Sequence, residues 1–186
     1  IIPSIVSNLI VMRQAGEFRA TLRQFLPLYL SQIPGVILGF SLLIYLPSYF
    51  SSTILGLTLI SYCLFAFFNP EFSLSHYLEK ILAVPTGLLT GFINGLTGSQ
   101  VMPLLPYMIS INLSPSRLIQ AINCSFTFSS ILMAVGLANF ELMTLGVVTL
   151  SIVGLIPVYL GTKMGEKIRG RITSAVFRNL VIFHLH

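Results

Sequence analysis

The chain has 186 residues, of which 55% are apolar and only 8% charged, with a mean hydropathy of +0.92. Soluble domains carry roughly a quarter of their residues as charges to clothe their surface, so a water-soluble enzyme is excluded and most of this surface faces lipid. Ten Lys and Arg against five Glu give a net charge of +5, yet the basic residues stand in short loops beside apolar runs, not interleaved with aromatics along a groove, which points to membrane topology signals and argues against nucleic acid.

In chain order, Ile1 to Met12 is uncharged but too short to span a bilayer alone, and reads as the tail of a span that begins upstream. The charged stretch Arg13 to Arg23 follows. Phe25 to Leu46 is uncharged for 22 positions and Phe50 to Phe68 for 19, and the turn Pro47-Ser48-Tyr49 between them makes a helical hairpin. After the charged linker come Ile81 to Gly98, a shorter run Gln100 to Leu113 interrupted by Pro103 and Pro106, then Leu118 to Ala138 and Leu142 to Thr162. Beyond the basic stretch Lys163 to Arg171, the run from Ala175 to His186 stops short of a membrane length, so the chain reads as a fragment. The runs are continuously apolar where barrel strands would alternate. The expectation is an all-α, polytopic transmembrane helical bundle of four full spans plus a broken, Gly/Pro-interrupted helix pair.

Cys63 and Cys124 lie inside apolar runs with no ligand spacing around them and read as small buried hydrophobes. His76 stands in a loop, and His184 and His186 at the end of the chain. Neither a nucleophile with a base nor a metal-ligand set is legible, so no catalytic residue, cofactor or metal is expected, and the protein does not read as a membrane-embedded enzyme.

The stretch Lys163 to Arg171 holds four basic residues in nine and is placed on the cytoplasmic side by the positive-inside rule. Parity then puts Ser114 to Arg117, Ser73 to Lys80 and Arg13 to Arg23 inside, and Pro47 to Tyr49 outside. Sliding residues 1–51 forward by 122 positions pairs Ser7 with Ser129, Phe18 with Phe140, Leu28 with Leu150, Val36 with Val158, Leu38 with Leu160 and Gly39 with Gly161. That offset sets an inside loop against an outside one and suggests inverted internal repeats: residues 1–68 the C-terminal part of the first, 69–80 a cytoplasmic linker, and 81–186 a C-terminally truncated second.

The densest signal runs from Pro85 to Tyr107. Gly87, Gly91, Gly95 and Gly98 recur at spacings of 4, 4 and 3 on one helical face, which permits close backbone approach and reads as helix packing for the first three. From Asn94 to Pro106 the chain holds two Gly and two Pro among polar side chains. No continuous helix survives there, and the released backbone groups must face protein or a water-lined cavity. Broken helices of this kind bind solutes, presenting half-helix N-termini to an anion. Asn94, Thr97, Gly98, Ser99 and Gln100 are therefore candidate substrate-binding residues, joined by the stripe Gln120, Asn123 and Thr127 on the next span. Arg117, at the inner end of that span, is a candidate electrostatic attractor or a topology anchor. The spans as read carry no Asp, Glu, Lys, Arg or His, so an anion would be met by neutral dipoles.

The block Gly91-Phe92-Ile93-Asn94-Gly95-Leu96-Thr97-Gly98, then Pro103-Leu104-Leu105-Pro106-Tyr107, then Leu118-Ile119-Gln120-Ala121-Ile122-Asn123-Cys124-Ser125-Phe126-Thr127-Phe128-Ser129-Ser130, resembles the second repeat of the sulfite exporter TauE/SafE family of membrane permeases. Where many members carry three consecutive Gly, this chain has Thr97-Gly98-Ser99-Gln100. The resemblance implies a multi-pass transporter of the bacterial-type cytoplasmic membrane that moves a small anion such as sulfite, a sulfonate or a related organic or sulfur anion. Its partners would be that anionic solute and the lipid bilayer, with a homo-oligomer left open. The alternative is a non-transporting membrane scaffold whose glycine face packs a second protein.

Overall fold

The computed structural model describes residues 1–68, 73–139 and 145–169. Among them the chain forms α1 (Ile2–Ala15), α2 (Phe18–Tyr45), α3 (Ser48–Phe68), α4 (His76–Thr97), α5 (Leu104–Ile109), α6 (Pro115–Asn139), α7 (Leu145–Val153) and α8 (Leu155–Arg169), and no strand. The helices over Phe18–Tyr45, Tyr49–Phe68 and Pro115–Asn139 are long and apolar enough to cross a membrane. The fold is an all-α membrane helical bundle.

Two elements differ from the sequence reading. Ser75 caps α4, its Oγ accepting from Leu78 N–H, so the helix starts at His76 and takes Glu79 into its first turn. Helix α4, which the sequence reading counted as a full span and which is not among these three long apolar helices, therefore carries a buried carboxylate that the hydropathy boundary at Ile81 had left in a loop. The run Leu142 to Thr162 is not one helix: α7 ends at Val153 and α8 begins at Leu155, with a turn at Gly154. Pro157 explains the break, since it has no N–H for the Val153 carbonyl and its ring crowds that group. Residues 140–144 and 170–186, which include Glu141, Arg171, Arg178, His184 and His186, lie outside the described residues.

The tightest packing is between α2 and α4, along a seam of glycines. A Cβ added to Gly87, Gly91 or Gly95 would overlap the backbone carbonyl of Leu28, Gln32 or Val36, and one added to Gly35 or Gly39 would overlap that of Leu88 or Phe92. The seam repeats every four residues on both helices and ascends both in the same direction, so α2 and α4 are parallel. At this range glycine Cα–H groups face carbonyl oxygens, a contact that recurs where helices lose their side chains from the interface. The antiparallel α3 supplies the return between the two helices and buries little of its own surface, about 6% of its most apolar window.

Helix α6 runs in the same direction again. Tyr29 pairs with Ala121, Gln32 with Ser125, and Phe40 lies against Gly136, so the register rises on both helices. The chain gets from the far end of α4 back to the start of α6 through residues 98–114, with α5 as a single short helix in the return. The three segments that the charge rule placed on one side meet at one end of the bundle. Glu17 pairs with Arg117 at 2.9 Å, Gln24 Nε2 donates to Glu79 Oε1 at 2.8 Å, and Asn112 Nδ2 donates to Ser73 Oγ at 3.0 Å. We refer to this as the basic end.

Candidate functional site

A polar layer crosses the bundle between two apolar clusters. Toward the basic end lie Phe25, Leu28, Tyr29, Leu104, Met108 and Ala121, among others, and beyond the layer lie Val36, Phe40 and Met133. In the layer, three carboxamides from three segments meet one helix. Gln32 of α2 donates from Nε2 to Ser125 Oγ at 2.5 Å, Asn94 of α4 donates from Nδ2 to Ser129 Oγ at 2.7 Å, and Gln100 of the return segment donates from Nε2 to Ser130 Oγ at 3.2 Å. Gln32, Asn94, Ser125 and Ser129 are each at most 1% exposed. The glycine seam brings them together: Gly91 lies on the Gln32 backbone, one turn along α4 from Asn94.

Each amide in this layer is only half used. Gln32 Oε1, Asn94 Oδ1 and Gln100 Oε1 are buried with no hydrogen-bond partner, as is Oγ1 of Thr90, one turn below Asn94. An unpaired buried polar atom costs on the order of 1–3 kcal/mol, so a packing role alone gives no reason for several to gather in one place. A serine hydroxyl satisfies an amide either by accepting from its N–H or by donating to its C=O, and a half-turn of the amide exchanges the two. The framework can thus turn either N–H donors or carbonyl acceptors away from the serines.

The other sequence candidates are placed differently. Asn123 Nδ2 donates to the Ile119 carbonyl of its own helix, Thr127 Oγ1 reaches Met12 Sδ of α1 at 3.6 Å, and Gln120 Nε2 reaches Cys124 Sγ at 3.5 Å with its Oε1 unpartnered. The structure does not bring these three into one stripe with Asn94 and Gln100. Thr97 Oγ1 donates to the Ile93 carbonyl and accepts from Ser99 N–H, finishing α4 beside Gly98, whose φ of 75° only glycine adopts freely. A cavity of about 310 Å³ opens against this helix end, lined by Leu43, Ser51, Ser52, Leu55, Leu96, Thr97 and Gly98. Arg117 is ion-paired with Glu17 at the basic end, well below the layer.

The expected half-helix N-terminus, that of α5, spends part of its N–H groups locally. Leu105 N–H is already bonded to the Val101 carbonyl, Tyr107 N–H to that of Pro103, and Pro103 and Pro106 have no N–H to offer. Donors at this depth come from side-chain amides. Gln32, Ser125, Ser129 and Ser130 complete the arrangement, and Gln32 carried no motif to mark it: a single glutamine in the middle of an uncharged span was the available signal.

The family model of the sulfite exporter TauE/SafE matches residues 1–185. The chain belongs to the sulfite exporter TauE/SafE family. No curated protein and no solved structure matches it. TauE/SafE membership, together with the three long apolar helices, makes it an integral membrane protein of a transporter family. The block that carried the resemblance in the sequence contributes α4, the return segment and the serine face of α6 to the layer.

Proposed function

We propose that this TauE/SafE protein moves a small anion, sulfite or a sulfonate or related organic or sulfur anion, across a bacterial-type cytoplasmic membrane, and that the anion is held at the Gln32–Asn94–Gln100 layer. The observation that carries this reading is the convergence of three buried, half-satisfied carboxamides on Ser125, Ser129 and Ser130 of a single helix. Neutral N–H donors are a suitable match for an oxyanion at membrane depth, where a fixed charge is costly before the solute arrives. Residues 1–68 and 81–186 are read as parts of two inverted repeats joined by 69–80, and the chemistry as carriage, not catalysis. Against the scaffold reading stands the glycine face, whose partner here is α2 of the same chain.

The test is sulfite flux in proteoliposomes made with the full-length protein and with Asn94→Ala and Gln100→Ala. Saturable flux by the parent, reduced at least tenfold in correctly folded variants, is expected. Unchanged flux in both variants would move the site elsewhere, and no flux from folded parent protein would return the scaffold reading.

A further inference from the structure

From the chemistry of the layer we infer that the species carried is a monoanion, and that with an acid such as sulfite the proton crosses the membrane on the substrate, not on the protein. This rests on the transport reading of the same layer. The groups at hand are carboxamides and hydroxyls, each with both donor and acceptor atoms. A hydrogensulfite ion presents the matching set, S–O⁻ acceptors together with an acidic O–H donor, whereas the sulfite dianion presents acceptors alone. Unpartnered atoms in the layer are amide oxygens in the orientation observed, and a half-turn converts any of them to N–H, so one amide can receive the O–H while another donates to the charged oxygens. Charge argues the same way. The cost of desolvating an ion grows with the square of its charge, and no described cation lies in the layer to repay the cost for a dianion.

The titratable groups on the surrounding elements do not supply a proton carrier at the site. From α2 the nearest is Tyr29, whose hydroxyl donates to the Ala121 carbonyl, and from α6 it is Cys124, which accepts from Gln120. From α5 it is Tyr107, which donates to the Glu79 carbonyl; α1 sets Met12 against Thr127 and the basic-end cluster, with Arg13 beside it exposed, and α3 brings Tyr62 and the exposed Cys63. Glu79 of α4 is the buried carboxylate, but it lies fifteen residues before Asn94, about 22 Å along a helix. Its oxygens are already engaged by Gln24 and His76. Hydrogensulfite would enter with its proton, cross, and release the proton to water on the far side by its ordinary second ionisation, so that one proton moves with each sulfite.

The experiment compares sulfite with methanesulfonate, a monoanion at all working pH values, in proteoliposomes holding a trapped pH dye, with flux through protein-free vesicles subtracted. With sulfite the lumen should acidify. The KM expressed as total sulfite should rise about tenfold for each pH unit above the second ionisation, at constant maximal rate. Methanesulfonate matches the layer in charge but has no O–H donor, so it should move more weakly than sulfite, without acidification and without pH dependence, and Glu79→Gln should leave both patterns in place. A KM for total sulfite that is flat or falls with rising pH would overturn the inference while leaving transport standing. So would loss of the pH dependence in folded Glu79→Gln, which would put the proton on the protein. If folded protein moves neither anion, the transport reading fails and this inference with it.

Discussion

A carboxamide buried among helices is tolerated when its donors and acceptors are met, and the layer holds three that are met once each. Because the serines they touch can fall back on the carbonyl one turn earlier in α6, removing an amide should change stability little. Gln32→Ala and Asn94→Ala are each expected to lower sulfite transport efficiency tenfold to a hundredfold while shifting the unfolding midpoint by no more than about 1 kcal/mol equivalent. The midpoint can be read with a thiol-reactive dye in a Cys63→Ser background: the sequence reading had both cysteines buried, but α3 leaves Cys63 exposed, while Cys124 is buried and should react only on unfolding. Tyr29→Phe should do the opposite, losing the bond to the Ala121 carbonyl at a cost of about 1 kcal/mol and leaving transport intact. Asn94 and Gln100 were legible in the sequence because they flank a Gly/Pro break. Gln32 was not, since only the fold brings a residue some sixty positions upstream against Asn94, and no local pattern encodes that approach.

At the scale of elements, the glycine seam makes a sharper distinction than helix propensity does. Gly91→Ala and Gly95→Ala would drive a methyl into the backbone of α2. Each should cost several degrees of thermal stability or prevent folding. Gly136→Ala meets only the Phe40 ring, at 3.5 Å, which is ordinary contact. It should be neutral or stabilising by up to about 1 kcal/mol from the gain in helix propensity, and the same dye assay ranks the three. The spacing of Gly87, Gly91 and Gly95 disclosed such a face from the sequence, though not its partner. What the sequence concealed were element ends set by hydrogen bonding. The Ser75 cap extends α4 back to His76, Pro157 divides the last run, and Leu105 and Tyr107 spend their N–H groups on local bonds at the start of α5.

Over the whole molecule, three parallel helices fix which segments share a side. Single cysteines at Arg19, Tyr77 and Ser114, in a Cys63→Ser background, should all be labelled by a membrane-impermeant maleimide from one face, and a cysteine at Tyr49 from the other. A split among the first three would contradict the shared basic end that the Glu17–Arg117, Gln24–Glu79 and Ser73–Asn112 pairs define. The charge asymmetry of the loops made this arrangement readable before any packing was known, because topology is written in loop charges, whereas contacts between spans depend on side chains that hydropathy treats alike. The seam between α2 and α4 also separates two properties that often constrain each other. Its glycines touch the carbonyls of residues 28, 32 and 36 and ignore the side chains those residues carry. The position we propose faces the solute can therefore be rewritten without loosening the joint beneath it, which makes residue 32 the natural place to retune selectivity in this scaffold.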